Sequence, residues 1–243
     1  MGRLTGDKVV AMTDYMNHPE LHTIIPTESV GICFPVYGWD APAIAYDFMQ
    51  SLQTEMEFSP PYLYYICTMG DDIGLTGQRL QQAATSLGWC FSAGFSLQMP
   101  NTYVCLPGFD VDSTEVRDAK LARVPHALQG IAENIMERHT GIFQLIPGRF
   151  AWLKTNVIGG YFRKRLMSDR KFEVNTACTG CGKCEMVCPV GNILMQRGRP
   201  TWQGHCTMCL ACYHHCPHHA LHWGSETRKK GQYLLTMHVK DND

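Results

Sequence analysis

Apolar and polar positions alternate along the first hundred residues in a strand, loop, helix rhythm. Lys8-Val9-Val10-Ala11-Met12 is a short β-like run, followed by a polar, proline-containing stretch to Ser29. Val30 to Tyr37 is a continuous apolar run of the kind buried on both faces of a sheet. Gly38-Trp39-Asp40-Ala41-Pro42 then turns into a helix ending near Met56, with Ile44, Phe48 and Leu52 at four-residue spacing. After Pro60-Pro61 a second strand, Tyr62 to Thr68, ends in the turn-rich Met69 to Gly74. A helix from Gln78 to Leu87 is closed by Gly88, and Trp89 to Met99 reads as a third strand. This order predicts βαβ units and a parallel sheet.

Farther along the pattern becomes helical. Val124, Leu128, Ile131 and Ile135 mark one apolar face within 113–140, where Pro125 begins a new helix or kinks one. Gly141 to Phe150, with Pro147-Gly148, is a boundary. A further helix over Ala151 to Met167 presents Leu153, Val157, Tyr161 and Phe162, an apolar set suited to packing two domains together, with a basic end that could meet a membrane surface. Phe172 to Asn175 and Tyr233 to Val239 are strand-like and could pair to close a small core. The domain expectation is 1–148, a connecting helix over 149–170, and 171–243.

Composition narrows the class. The 243 residues suffice for one to two domains. No apolar run reaches the roughly 18 residues of a membrane span, and no signal segment opens the chain, so the expected place is the cytoplasm. The net charge of −1 hides an asymmetry: residues 1–148 carry 7 Lys/Arg and 16 Asp/Glu, residues 149–243 carry 14 and 6, so the halves have opposite fields that could steer partners. The basic run Arg163-Lys164-Arg165 is too short, and too poor in interleaved aromatics, to indicate a nucleic-acid partner.

The chemistry lies in the cysteines. Cys178-x2-Cys181-x2-Cys184-x3-Cys188-Pro189 is repeated, proline included, as Cys206-x2-Cys209-x2-Cys212-x3-Cys216-Pro217. Two residues between thiols let a tight loop turn three sulfurs around one centre, and small residues such as Gly180, Gly182 and Ala211 permit close approach. The proline presets the first turn of a short helix, Pro189 to Leu194, which carries Cys188 away from its own loop. Paired Cys-x2-Cys elements also make structural zinc sites, but four ligands close a zinc site, leaving no use for triplets followed by Cys-Pro. The nearby His205, His214, His215, His218, His219 and His222 are read as surface groups or as neighbours that tune the ligands. Cys33, Cys67, Cys90 and Cys105 fall in or beside apolar runs and are expected to be reduced, buried thiols.

The repeated run resembles the bacterial ferredoxin motif, in which three thiolates of each copy hold one cubane and the fourth crosses to the other. The resemblance implies two [4Fe-4S] clusters, on Cys178, Cys181, Cys184 and Cys216, and on Cys206, Cys209, Cys212 and Cys188. Upstream, Pro35-Val36-Tyr37-Gly38-Trp39 and Cys67-Thr68-Met69-Gly70 resemble the two flavin-facing loops of flavodoxins. The whole is similar to flavodoxin and ferredoxin fusion proteins: a flavodoxin-like α/β parallel sheet, incomplete at its N-terminus, followed by an α+β bacterial 2[4Fe-4S] ferredoxin-like domain. In that family FMN sits at the carboxyl ends of the strands, at the switch point of order 2-1-3-4-5, so Tyr37, Gly38, Trp39, Thr68, Met69, Gly70 and Asp71 would face it.

One departure matters. The family's first strand ends in a Ser/Thr/Gly-rich loop that cradles the FMN phosphate. This chain shows none, and Lys8 to Met12 matches the second strand. Either the coding sequence begins upstream of Met1 or the domain is shortened and poor in FMN. The expected function is an electron carrier relaying low-potential electrons between a redox donor and acceptor, with FMN as a possible further cofactor. The alternatives are an iron–sulfur flavoenzyme reducing a small substrate, and a module whose zinc or clusters are structural. No residue is read as catalytic.

Overall fold

The structure is a computed structural model that describes residues 1–18, 29–55 and 62–235. The polar stretch before Ser29, Met56 and Pro60-Pro61 lie outside those residues in whole or part, as do the positions of the Tyr233 to Val239 run beyond Leu235. The chain divides into two compact units, Met1–Met99 with Arg117–Arg163, and Pro100–Val116 with Lys164–Asp243.

The first unit is built on four parallel strands in the order β1-β2-β3-β4: β1 Val30–Pro35, β2 Leu63–Met69, β3 Ala93–Gln98 and β4 Ile142–Gln144. Helix α1 spans Gly2–Thr5, α2 Met12–Asn17, α3 Ala43–Glu55, α4 Thr76–Ser86 and α5 Thr114–Met136. The parallel-sheet expectation therefore holds, while the expected strand at Lys8 to Met12 does not: Met12 opens α2, whose Asp14 in the first turn complements the helix dipole. Helix α5 also continues through Pro125 without a break.

Period-two side-chain alternation sorts the core. Leu63, Tyr65, Cys67 and Met69 face Ala45, Met49 and Leu52 of α3 and Leu80 and Ala84 of α4. Tyr64 and Ile66 point the other way and join Phe95 with Ile131 and Ile135 of α5. Strand β1 lies at the sheet edge, and Gly31 and Cys33 are exposed, so this run is not buried on both faces. Of the four remaining thiols, Cys67 and Cys105 are buried and Cys33 and Cys90 are on the surface. Burial pushes the Cys67 and Cys105 thiols up to about 12, which keeps them protonated and inert.

Two cross-strand pairs match a glycine with a tyrosine, Gly31 with Tyr64 and Gly94 with Tyr65. In each the ring lies where a glycine Cβ would stand. The ring thus covers bare backbone, the arrangement that offsets glycine's weakness in strands. Gly94→Ala is expected to drive the fully buried Tyr65 ring off its seat and lower unfolding free energy by about 1–3 kcal/mol in a denaturant titration. An unchanged midpoint would contradict this.

In the second unit β5, Phe172–Val174, pairs antiparallel with β8, Leu221–Trp223, in the register Phe172 to Trp223. The run Tyr233 to Val239, expected to pair with this strand, lies outside the described residues beyond Leu235; within its described part Tyr233 donates its N–H to His214 Nδ1 (3.2 Å). Between the cysteine motifs, β6 Ile193–Gln196 and β7 Arg199–Trp202 form a hairpin. Its two-residue turn, Arg197 and Gly198, has φ of 50° and 75°, the positive pair that matches strand twist.

Candidate metal centre

Each cysteine motif folds as a loop followed by one helical turn. In the first, Gly180 and Gly182 take φ of 72° and 73°, and Lys183–Met186 is helical. In the second, Met208 and Leu210 stand at the same two places with φ of 56° and 59°, before the helix Ala211–His214. Left-handed backbone on a residue with a side chain costs about 1–3 kcal/mol. Its presence at Met208 and Leu210 shows that the loop shape does not depend on glycine. Burial of the Met208 and Leu210 side chains offsets that strain.

After each helical turn the chain reverses. Pro189 and Val190 form a turn, Gly191 has φ of 60°, and Ile193 enters β6, so Pro189 to Leu194 is not the helix expected from the proline. The reversal still directs the fourth cysteine away from its own motif. The N–H of Asn192 donates to Cys188 Sγ (3.2 Å), and at the matching place in the second copy the N–H of Ala220 donates to Cys216 Sγ (3.3 Å). Met208 N–H donates to Cys206 Sγ (3.4 Å).

These folds create two cavities. Cys178, Cys181, Cys184 and Cys216 line one together with Gly180 and Pro217. Cys188, Cys206, Cys209 and Cys212 line the other with Phe172, Asn192, Trp202 and Leu210. Each cavity takes three thiols from one motif and the last from the other. Among the described residues no three Cys, His, Asp or Glu side chains stand close enough to hold one metal ion. The two observations ask different questions: a single ion requires ligands converging on a point, whereas the eight thiols border spaces. The donor set fits an iron–sulfur cluster, which Cys thiolates hold in fours.

The two environments differ. Cys181 is exposed, whereas Cys212 is buried among apolar neighbours. Burial pushes the Cys206 thiol up to about 11 against the pull of the Met208 N–H, and raises Cys209, Cys184 and, most strongly, Cys212. Loading with metal would thus release protons from these thiols.

Asn192 is the site residue that the cysteine pattern does not reveal. It is fully buried; its Nδ2 donates to Asp169 Oδ2 (3.0 Å) and its Oδ1 accepts from the N–H of His205 (2.8 Å). Asp169 Oδ2 also accepts from Gly204 N–H (2.8 Å). One side chain therefore ties the Cys188 reversal to the entrance of the second motif. Its only sequence signal is a break in the internal repeat, since Ala220 occupies the matching position. Among the histidines, His214 and His222 are buried rather than on the surface, and His214 Nε2 lies 2.7 Å from the Thr102 carbonyl oxygen.

The seven positions compared with flavin-facing loops lie at the carboxyl ends of the neighbouring strands β1 and β2, where Pro35 pairs with Thr68. The segment 151–166 fastens over these loops. It alternates α-helical Ala151–Leu153 and Gly159–Tyr161 with π-helical Lys154–Ile158 and Phe162–Leu166. The Phe162 ring fills the space beside Gly38, and Arg163 Nη1 donates to the Gly38 carbonyl (3.2 Å). Thr155 Oγ1 donates to the Trp39 carbonyl (3.3 Å) and accepts from Leu75 N–H (2.9 Å). Tyr37 and Asp40 pair their own N–H and carbonyl groups, Gln98 Nε2 donates to the Gly70 carbonyl (3.1 Å), and Asp71 is 3.7 Å from Lys120 Nζ.

Residues 177–221 match the family model described as a 4Fe-4S dicluster domain, and all eight motif cysteines fall inside the match. The chain thus combines a four-stranded parallel sheet with a 4Fe-4S ferredoxin-type domain, a domain type that suggests an iron–sulfur electron-transfer role and implies redox partners. Neither the curated proteins nor the solved structures yield a match to the chain. Among the described residues no helix is long and apolar enough to cross a membrane.

Proposed function

We propose that the protein is a one-electron carrier with two [4Fe-4S] clusters, working in the reducing cytoplasm between a donor and an acceptor protein. Cys178, Cys181, Cys184 and Cys216 hold one cluster, and Cys188, Cys206, Cys209 and Cys212 the other. The observation that carries this reading is the pair of four-thiol cavities, each completed by the last cysteine of the opposite motif. Such clusters take up and release single electrons. The chain supplies rigid ligand loops, N–H donors aimed at sulfur, and two burials that set the potentials apart. Exchange with partners occurs on the Cys181 side, where the ligands reach the surface. The reading does not depend on flavin; Phe162 and Arg163 lie against Gly38, one of the positions that would face it.

Anaerobic reconstitution tests this. About eight irons per chain, absorbance bleached reversibly by dithionite, and no bound flavin are expected. Zinc or no metal in the purified protein would remove the reading, and flavin retained with iron would favour a flavoenzyme instead.

A further inference from the structure

The sequence from Arg138 to Ser168 contains six Lys/Arg and not one Asp or Glu, in a chain whose first 148 residues are otherwise acidic. Within it, the helical segment 151–166 turns its small or mixed face inward. Thr155, Gly159, Phe162 and Leu166 are buried, while Phe150, Trp152, Leu153, Val157, Ile158 and Tyr161 are exposed. Of the set expected to pack two domains together, Phe162 is buried, while Leu153, Val157 and Tyr161 are 45%, 52% and 61% exposed. Leu153, Val157 and Tyr161 follow each other at four-residue steps along helical backbone and are all exposed, and exposed Phe150 stands just ahead of the first turn.

The stripe is not a loose end. Lys154 is ion-paired with Asp72, Arg163 lies 3.5 Å from Asp40, and Arg79 Nη2 donates to Asn156 Oδ1 (2.8 Å). The inward groups hold the outward apolar ones in water, where a contiguous patch of this kind is uncommon unless something covers it. Arg149, stacked over Phe150 at 5.6 Å, precedes the stripe, and exposed Lys164 and Arg165 follow it in sequence.

We infer that this face docks the protein on an anionic lipid surface. Phe, Trp and Tyr beside aliphatic residues suit the boundary between headgroups and acyl chains, and an acid-free basic stretch suits anionic headgroups. A protein partner would have to supply an apolar groove ringed by acids, whereas a bilayer presents both features continuously. The attachment is peripheral and stands whether or not the electron-carrier reading does.

Full-length reconstituted protein should sediment with vesicles of phosphatidylcholine and phosphatidylglycerol, but not with phosphatidylcholine alone, and added salt should weaken the binding. Leu153→Asp with Val157→Asp should lower the vesicle partition coefficient at least about tenfold. Arg149→Gln should lower it about fivefold. Val9→Asp, at an exposed site elsewhere, should leave it unchanged, and visible absorbance and iron content verify that each variant is folded and loaded. The inference is overturned by no binding to anionic vesicles, by equal binding to neutral ones, or by full binding of the Leu153 and Val157 double variant. A concentration-dependent dimer abolished by that double variant also overturns it and assigns the face to a second copy.

Discussion

Replacing Cys212 with alanine should remove about half of the iron from anaerobically reconstituted protein, and replacing Cys188 with alanine should damage the same cluster. The pairing is the informative part. Cys188 belongs by sequence to the first motif, yet it lines the cavity of Cys206, Cys209 and Cys212. Cys216 belongs to the second and lines the cavity of Cys178, Cys181 and Cys184. Under crossed ligation the Cys188→Ala and Cys212→Ala proteins share one residual spectrum, and Cys216→Ala and Cys181→Ala share another. Under uncrossed ligation Cys188→Ala would instead resemble Cys181→Ala. Cys212→Ala should have a larger effect on stability than Cys181→Ala, because Cys212 is buried among Leu210, Phe172 and Trp202 while Cys181 is exposed. Cys33→Ala is the control: the thiol is exposed on β1 and borders neither cavity, so iron content stays full. Full iron in both Cys212→Ala and Cys33→Ala would refute the ligand assignment.

The ligand loops were legible because their chemistry is local. Three thiols around one centre fix a spacing within seven residues, and the spacing recurs. The strands were legible for a similar reason, since a buried parallel strand needs an unbroken apolar run, and Leu63–Met69 supplies one. What stayed hidden depends on partners distant in sequence. Residues 172–174 look equally able to pair with any strand-like run, and only the fold selects Leu221–Trp223. Met208 and Leu210 carry no mark of a left-handed backbone, because that shape is set by the loop and not by their side chains. Which side of segment 151–166 faces the sheet was not legible, because an apolar stripe has the same period whether it faces inward or outward. The decisive residues were the small ones, Thr155 and Gly159, which permit the close approach that large side chains forbid. A Cβ on Gly159 would run into the Gly38 carbonyl.

Asp40→Ala should destabilise the parallel-sheet unit by about 3–5 kcal/mol, the cost of leaving buried charge without its counter-ion. Asp40 is 5% exposed and gathers four donor groups around its carboxylate. Its Oδ1 accepts from the N–H of Ala41 (3.0 Å) and from the Tyr46 hydroxyl (2.7 Å). Its Oδ2 accepts from Arg79 and faces Arg163 at 3.5 Å. Alanine would leave two partly buried guanidinium groups facing each other and orphan the tyrosine hydroxyl. Because Arg163 also holds the Gly38 carbonyl and the Thr155 carbonyl (2.9 Å), the loss would spread to the fastening of segment 151–166 on the β1 and β2 loops. Asp40→Asn, which keeps the shape and one acceptor, should cost less. The same carboxylate bears on alkaline stability: burial first, then the Asp40 charge, raises the Tyr46 hydroxyl above its ordinary value. A raised folded-state value contributes stability that is complete below about pH 10 and lost as pH climbs toward that value. Asp40→Asn should therefore shrink Tyr46's share of the alkaline loss, a difference absent below that range. Urea titration followed by tyrosine and tryptophan fluorescence measures both effects. A loss under about 1 kcal/mol in Asp40→Ala would mean that Asp40 acts as an ordinary surface carboxylate and that the segment is held by Phe162 and Thr155 instead.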